Sequence, residues 1–126
     1  MAVVPPPGYR SVAPYLLCSD VPRLITFLAA TFGGTEKERH ARADGSVGHA
    51  EVQIGDSIVM MGGVPAAEAT ASHLYVYVED VDAAYRRGLD AGGTSVREPE
   101  NFAYGDRSGG VRDPFGNTWW IATPLD

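Results

Sequence analysis

Alternating aliphatic and ring-bearing residues over 73–78 predict a half-buried strand that leads directly into a helix. The aliphatic residues would face a hydrophobic core, and His73, Tyr75 and Tyr77 the opposite side, because successive strand side chains alternate between faces. Asp80 then offers a short carboxylate to the free N–H groups of the helix that follows. An imidazole and two phenols on one strand face are unusual without a ligand, so this face is the first candidate for function.

The first half of the chain predicts the same order of elements. A strand over 13–18 is followed by an apolar stripe at helical spacing, which predicts a helix that ends at the glycine pair 33–34. A charged, solvent-facing strand over 36–42 comes next. Strict alternation then predicts a strand over 48–54, and a further strand follows over 57–61.

The second half repeats this plan after its opening strand. It predicts a helix over 81–91, a short strand over 95–98 and an irregular loop over 99–106. Two more strands are expected over 107–112 and 118–122, on either side of a tight turn.

Three sequence landmarks recur between the two halves at a nearly constant offset. The Asp-Val pair that starts each helix recurs after 60 residues, and the Gly-Gly-Thr triplet that follows each helix recurs after 59. The turn Ile54-Gly-Asp-Ser corresponds to Phe115-Gly-Asn-Thr after 61. Such regularity indicates an internal duplication. We therefore predict one α+β domain over residues 1–126, built from two βαβββ modules over about 11–63 and 70–124.

The segment Tyr-Gly-Asp-Arg-Ser-Gly-Gly-Val-Arg-Asp-Pro-Phe-Gly-Asn over 104–117 is the most specific signal in the chain. With the Asp-Val helix starts, it resembles the vicinal oxygen chelate superfamily, which contains glyoxalase I, extradiol dioxygenases and bleomycin-resistance proteins. The resemblance covers about residues 11–124. It implies βαβββ modules whose curled sheets enclose a cavity, and a homodimer that exchanges strands or modules.

Composition and charge narrow the possible partners. The formal net charge is −6 from 10 basic and 16 acidic residues, without a run of Lys or Arg, so nucleic-acid binding is not expected. The single cysteine, Cys18, cannot form an internal disulfide, which favours the cytoplasm. No signal peptide and no apolar run of the ~20 residues that span a bilayer is seen, so no membrane association is expected.

The resemblance also implies positions for a divalent metal, and these positions have lost their ligands. They correspond to Ala13, Val59 (or Met60 if the register slips), His73 and Trp120. Only His73 could serve as a ligand, whereas a catalytic metal normally needs about three protein ligands. We therefore expect no metal and no other cofactor.

An enzyme with non-standard ligands is the alternative. His49 and Glu51 alternate on one strand face, and with His73 they could hold a metal ion for a lyase, isomerase or dioxygenase of the same superfamily. Otherwise these residues would line a wet cavity wall.

The residues expected to face a cavity predict a small-molecule binding protein. They combine aromatic rings with a few polar groups, as small-molecule sites usually do. The predicted function is non-catalytic sequestration of an aromatic or peptide antibiotic by a homodimer. Arg107 and Arg112 are also expected as structural partners of Asp106 and Asp113. The predicted ligand-binding residues are Tyr15, Leu17, His49, Glu51, Gln53, Val59, Met61, His73, Tyr75, Tyr77, Phe102, Tyr104, Arg112 and Trp120.

Overall fold

The computed structural model describes residues 4–126 and contains two α-helices and eight β-strands there. The first half contains β1 (Tyr15–Cys18), α1 (Val21–Phe32), β2 (Thr35–Ala41), β3 (Val47–Ile54) and β4 (Ser57–Gly63). A single 3₁₀ turn, Ala66–Glu68, lies in the connector. The second half contains β5 (His73–Tyr77), α2 (Val81–Asp90), β6 (Thr94–Asn101), β7 (Asp106–Arg112) and β8 (Thr118–Pro124).

The two halves have the same topology. Each forms a four-stranded sheet, in the order β1-β4-β3-β2 and β5-β8-β7-β6. In each sheet the first strand pairs in parallel with the fourth, and the remaining pairs are antiparallel. The predicted α+β fold of two βαβββ modules is therefore confirmed.

The helices begin where the Asp-Val pairs predicted. The Oδ1 atom of Asp20 accepts a hydrogen bond from the backbone N–H of Arg23 at 3.2 Å, and Oδ1 of Asp80 accepts one from Ala83 at 3.1 Å. Each carboxylate satisfies one of the N–H groups that a helix start leaves without an intrahelical partner. The first helix ends at Gly33, whose φ of 67° is a left-handed conformation that glycine adopts without steric cost.

The chain divides into two compact units. The first comprises the residues up to Ala29 with Gly33–Thr70, and the second comprises Ala30–Phe32 with Ala71–Asp126. Neither helix within residues 4–126 has the length and apolarity needed to cross a membrane.

In the first unit, the strand register separates a core face of the sheet from an opposite face, called here the first open face. Ala50 pairs with Met61, Val52 pairs with Val59, and all four side chains are buried. The prediction that Val59 and Met61 face a cavity is therefore wrong. The physical reason is that cross-strand partners share a face. Met60, which pairs with both Tyr15 and Glu51, faces the open side instead.

In the second unit, α2 covers one face of the sheet and a buried aspartate organises the turn before β8. Trp119 is fully buried, with its ring centroid 5.3 Å from that of Phe32. Its indole N–H donates to Oδ2 of Asp113 at 2.9 Å. The same carboxylate accepts the side-chain amide of Asn117 and the backbone N–H groups of Phe115 and Asn117. The face of this sheet opposite α2 is called here the second open face.

Strand β6 is longer than predicted. Residues 99–101, expected in an irregular loop, belong to the strand, and only 102–105 connect it to β7. Pro99 is tolerated because β6 is an edge strand and its pairing with β7 shifts register between Arg97 and Glu100. A proline lacks a backbone N–H donor, and edges and bulges are the places where that donor is dispensable.

Candidate functional site

Trp120 lies at the centre of the second open face, where neighbouring residues hold its ring in place. It pairs with Tyr75 on one side and with Gly110 on the other. A Cβ atom at Gly110 would come within 2.8 Å of the indole, so the ring lies against backbone that only glycine leaves uncovered. The indole N–H also donates to Nδ1 of His73 at 3.2 Å, and the two rings are within 12° of parallel.

Arg97 extends this aromatic surface. Its guanidinium carbon is 4.9 Å from the centroid of Trp120 and 4.3 Å from that of Phe102, which is within the range of cation–π attraction. One guanidinium N–H donates to Oγ of Ser108 at 3.2 Å. The Nε atom is buried without a hydrogen-bond partner among the described residues. Phe102 in turn stacks on Tyr104, with centroids 5.4 Å apart.

A carboxylate anchors the two tyrosines of β5. Oδ2 of the buried Asp106 accepts hydrogen bonds from the hydroxyl groups of Tyr75 at 2.7 Å and Tyr77 at 3.1 Å. Burial and the hydrogen bond to Asp106 raise the pKa of Tyr75 well above its usual range, and the same hydrogen bond raises the pKa of Tyr77. Both phenols therefore remain neutral. Their shared acceptor, Asp106, orients the two exposed rings.

The first open face carries a second polar group of residues. The Oε2 atom of Glu51 is 2.8 Å from Nε2 of His49, and Oε1 accepts a hydrogen bond from the hydroxyl of Tyr9, which precedes β1. The hydrogen bond to Glu51 raises the pKa of Tyr9 to about 12. Burial raises the pKa of Glu51, but the hydrogen bonds from His49 and Tyr9 oppose this effect and leave that pKa below its usual value.

Tyr15 occupies a position on the first sheet like that of Trp120 on the second. A Cβ atom at Gly62 would come within 2.8 Å of the Tyr15 ring, which therefore lies against the backbone of β4. Its centroid is 5.8 Å from that of His49. In both modules a ring thus covers a glycine on a neighbouring strand.

Comparison with known families accounts for this duplicated architecture. A family profile described as the Glyoxalase/Bleomycin resistance protein/Dioxygenase superfamily matches residues 11–121. The chain belongs to this superfamily.

Individual proteins are also similar to this superfamily member. The uncharacterized protein Rv0887c of Mycobacterium tuberculosis is 32% identical over 127 residues, which cover 91% of this chain and 75% of the relative. TioX from Micromonospora sp. ML1 is 28% identical, with a TM-score of 0.77 over 92% of this chain and 99% of TioX. A superfamily enzyme from Burkholderia phytofirmans PsJN shares the fold, with a TM-score of 0.73 over 88% of this chain and 95% of its own, at 20% identity.

The superfamily's metal positions do not fit a catalytic ion here. Of the alternatives in β4, the structure selects Met60, because Val59 lies on the core face. The four positions are then Ala13, Met60, His73 and Trp120, and only the imidazole is a usual ligand for a catalytic divalent metal. Even that imidazole uses its Nδ1 atom to accept the Trp120 N–H.

The structure distributes the predicted ligand-binding residues over two surfaces. Alternation and register put one group on the first open face: Tyr15, Leu17, His49, Glu51 and Gln53. Another group is on the second open face or its connecting hairpin: His73, Tyr75, Tyr77, Phe102, Tyr104, Arg112 and Trp120. Val59 and Met61 belong to neither group. Which of these residues contact a ligand stays a prediction.

The sequence patterns did not predict several polar residues of these surfaces. Asp106 and Ser108 alternate with Arg112 along β7, and this period of two was the available signal. The expected partnership of Arg107 with Asp106 is wrong, because the Arg107 guanidinium binds Asp82 at 2.8 Å on the helix-covered side. Arg97 could not be located by alternation, because the register shifts on both sides of it.

Proposed function

We propose that this protein binds and sequesters a planar aromatic or aromatic-containing peptide antibiotic without chemical conversion. The observation that carries the proposal is the position of Trp120, where the resemblance implied a metal ligand. An indole cannot ligate a divalent metal, but its flat face is well suited to stack on a planar ring. The superfamily description itself includes bleomycin resistance proteins alongside glyoxalases and dioxygenases.

The groups around Trp120 support a ligand that is both aromatic and polar. The guanidinium of Arg97 lies over the rings of Phe102 and Trp120, and its positive charge favours an acceptor group on the ligand. Asp106 and the exposed phenols of Tyr75 and Tyr77 offer hydrogen bonds nearby. Because the net charge is −6, a cationic ligand would also be favoured electrostatically.

Fluorescence titration would test ligand binding. At least one compound among the planar aromatic antibiotics and bleomycin-type glycopeptides should quench the tryptophan emission. Aminoglycosides, which lack aromatic rings, should not quench it. Trp120→Ala should abolish this quenching, and Arg97→Ala should weaken it. Arg86→Ala, which removes the same charge from the exposed side of α2, is the matched control and should bind normally.

The fate of the compound distinguishes a binding protein from an enzyme. Mass spectrometry of the ligand after prolonged incubation should recover it unchanged, and expression in a sensitive host should raise the inhibitory concentration. A converted product would contradict sequestration and favour the metal-dependent alternative. Absence of quenching by every compound, together with unchanged sensitivity of the host, would contradict the proposal.

The proposal includes a homodimer. Large aromatic side chains on the two open faces, among them Tyr15 at 52% and Tyr77 at 61% relative exposure, would be partly covered by a second copy of the chain. Light scattering coupled to size-exclusion chromatography should give twice the 13.4 kDa chain mass. A monomeric mass across the accessible concentration range would contradict this part of the proposal.

A further inference from the structure

Four potential metal ligands face one another across the β2–β3 pair, and none of them occupies one of the superfamily's metal positions. Glu38 pairs with Glu51, and His40 pairs with His49. Nε2 of His40 is 3.1 Å from Oε2 of Glu38, while Nε2 of His49 is 2.8 Å from Oε2 of Glu51. The two imidazole centroids are 5.9 Å apart. Two imidazoles and two carboxylates therefore form a square on adjacent strands, called here the β2–β3 cluster.

A β-bulge creates this arrangement. Glu36 pairs with Val52, but the next registered pair is Glu38 with Glu51, so one residue of β2 is skipped. Without the bulge, Lys37 would stand opposite Glu51 and its ammonium group would neutralise the carboxylate. The bulge also brings Nη2 of Arg39 to within 2.8 Å of Oε1 of Glu36. These two charges therefore form an ion pair outside the cluster.

The buried carboxylate of the cluster is in an environment that suits a cation. Glu51 is only 6% exposed, and its side-chain hydrogen bonds come from His49 and Tyr9. A buried carboxylate is costly unless an opposite charge or a metal compensates it. The side-chain donor atoms of Glu38, His49 and Glu51 already lie within 4.8 Å of one another. A zinc-type ion bound at ~2.0–2.2 Å from each ligand would draw these atoms closer together.

We propose that the β2–β3 cluster binds one divalent transition metal ion of the Zn²⁺, Co²⁺ or Ni²⁺ type. Glu38, His49 and Glu51 supply three ligands, and His40 supplies the fourth. Mixed imidazole and carboxylate ligands suit borderline metals better than Mg²⁺ or Ca²⁺, which prefer oxygen ligands alone. The ion would tie the edge strand β2 to β3, and none of its ligands belongs to the group of residues around Trp120.

Metal titration of the tag-free, metal-stripped protein tests this site. Calorimetry with Zn²⁺ should give one equivalent per chain, and Co²⁺ should give visible absorption bands of a four-coordinate nitrogen and oxygen site. Glu38→Gln and His40→Asn each remove a proposed metal ligand and should weaken Zn²⁺ binding by at least about tenfold. Removing a residue that only hydrogen-bonds to a metal ligand already costs about that much affinity. Glu36→Gln, on the same strand but the other face, should bind metal like the unmodified protein.

The exposed positions of Glu38 and His40 make these variants suitable, because neither side chain contributes to the core. Zn²⁺ should also raise the thermal midpoint of the unmodified protein more than that of Glu38→Gln. Absence of Zn²⁺ binding at concentrations up to about 1 mM would overturn the proposal. Unchanged affinity in both Glu38→Gln and His40→Asn would also overturn it.

Discussion

The indole N–H of Trp120 donates a hydrogen bond to Nδ1 of His73 at 3.2 Å, and the two rings lie nearly parallel. The bond selects the His73 tautomer whose proton is on Nε2. Together with the close contact to Gly110, it restrains the indole before any ligand arrives. A restrained ring loses less conformational freedom on binding, which favours affinity.

The first prediction concerns the glycine beneath this ring. Gly110→Ala places a Cβ atom within 2.8 Å of the Trp120 ring and 3.3 Å of Val96, so the indole must move. We expect a shifted tryptophan emission maximum and weaker quenching by the antibiotic that binds the unmodified protein. Gly48→Ala is the control, because the three atoms nearest to its Cβ all belong to the flexible side chain of Arg42. Unchanged emission and ligand affinity in Gly110→Ala would show that the contact does not position the ring.

The second prediction concerns the shared acceptor of the β5 tyrosines. Asp106→Ala should lower the free energy of unfolding by about 1.5–3 kcal/mol, the usual contribution of hydrogen bonds to a charged group. Urea denaturation measures this change, and Asp90→Ala at the exposed end of α2 is the matched control.

A double-mutant cycle separates this hydrogen bond from general effects of the substitution. Tyr75→Phe should cost less in the Asp106→Ala background than in the unmodified protein, because its acceptor is already absent. Additive changes in the free energy of unfolding would contradict the coupling.

The third prediction is a dependence of stability on alkaline pH. The folded-state pKa values of Tyr9, Tyr75 and Tyr77 are raised above the unfolded value of about 10. The stabilisation they provide is therefore complete below about pH 10 and is lost as the pH rises through the folded-state pKa values, which is about 12 for Tyr9. Phenolate absorbance against pH should show late-titrating groups, and Tyr9→Phe should remove one. Titration of every tyrosine together near pH 10 would contradict the assigned hydrogen bonds.

The fourth prediction concerns the buried aspartate of the turn before β8. Asp113 accepts four hydrogen bonds, including that of the buried Trp119 indole. Asp113→Ala should lower the free energy of unfolding by roughly 3 kcal/mol, because it leaves buried donors without an acceptor. Chemical denaturation provides the measurement, with Asp90→Ala again expected to change stability by no more than about 0.5 kcal/mol. A similar loss in both variants would contradict a specific role for this turn.

Local sequence patterns were sufficient for the fold. The Asp-Val helix starts, the glycine pairs after the helices and the strict alternation over 48–54 each arise from short-range backbone chemistry, and their near-constant offset revealed the duplicated module. Only the length of β6 differs substantially from the prediction. Pro99 suggested a loop, but an edge strand with a register shift accommodates it.

The candidate sites depended more on tertiary structure. Alternation correctly placed His73, Tyr75, Tyr77 and Trp120 on one face, because that pattern is a property of each strand alone. It misplaced Val59 and Met61, since the face of β4 follows from its pairing with β3.

The sequence by itself determined the two βαβββ modules, the loss of the usual metal ligands and the aromatic character of one strand face. Only the tertiary structure decided which side chains become neighbours. It brought Asp106 to the phenols of β5, Arg97 to the Trp120 ring, and Glu38 to Glu51. The physical reason is that a β-bulge or a cross-strand partner changes which residues are neighbours without leaving a regular period in the sequence.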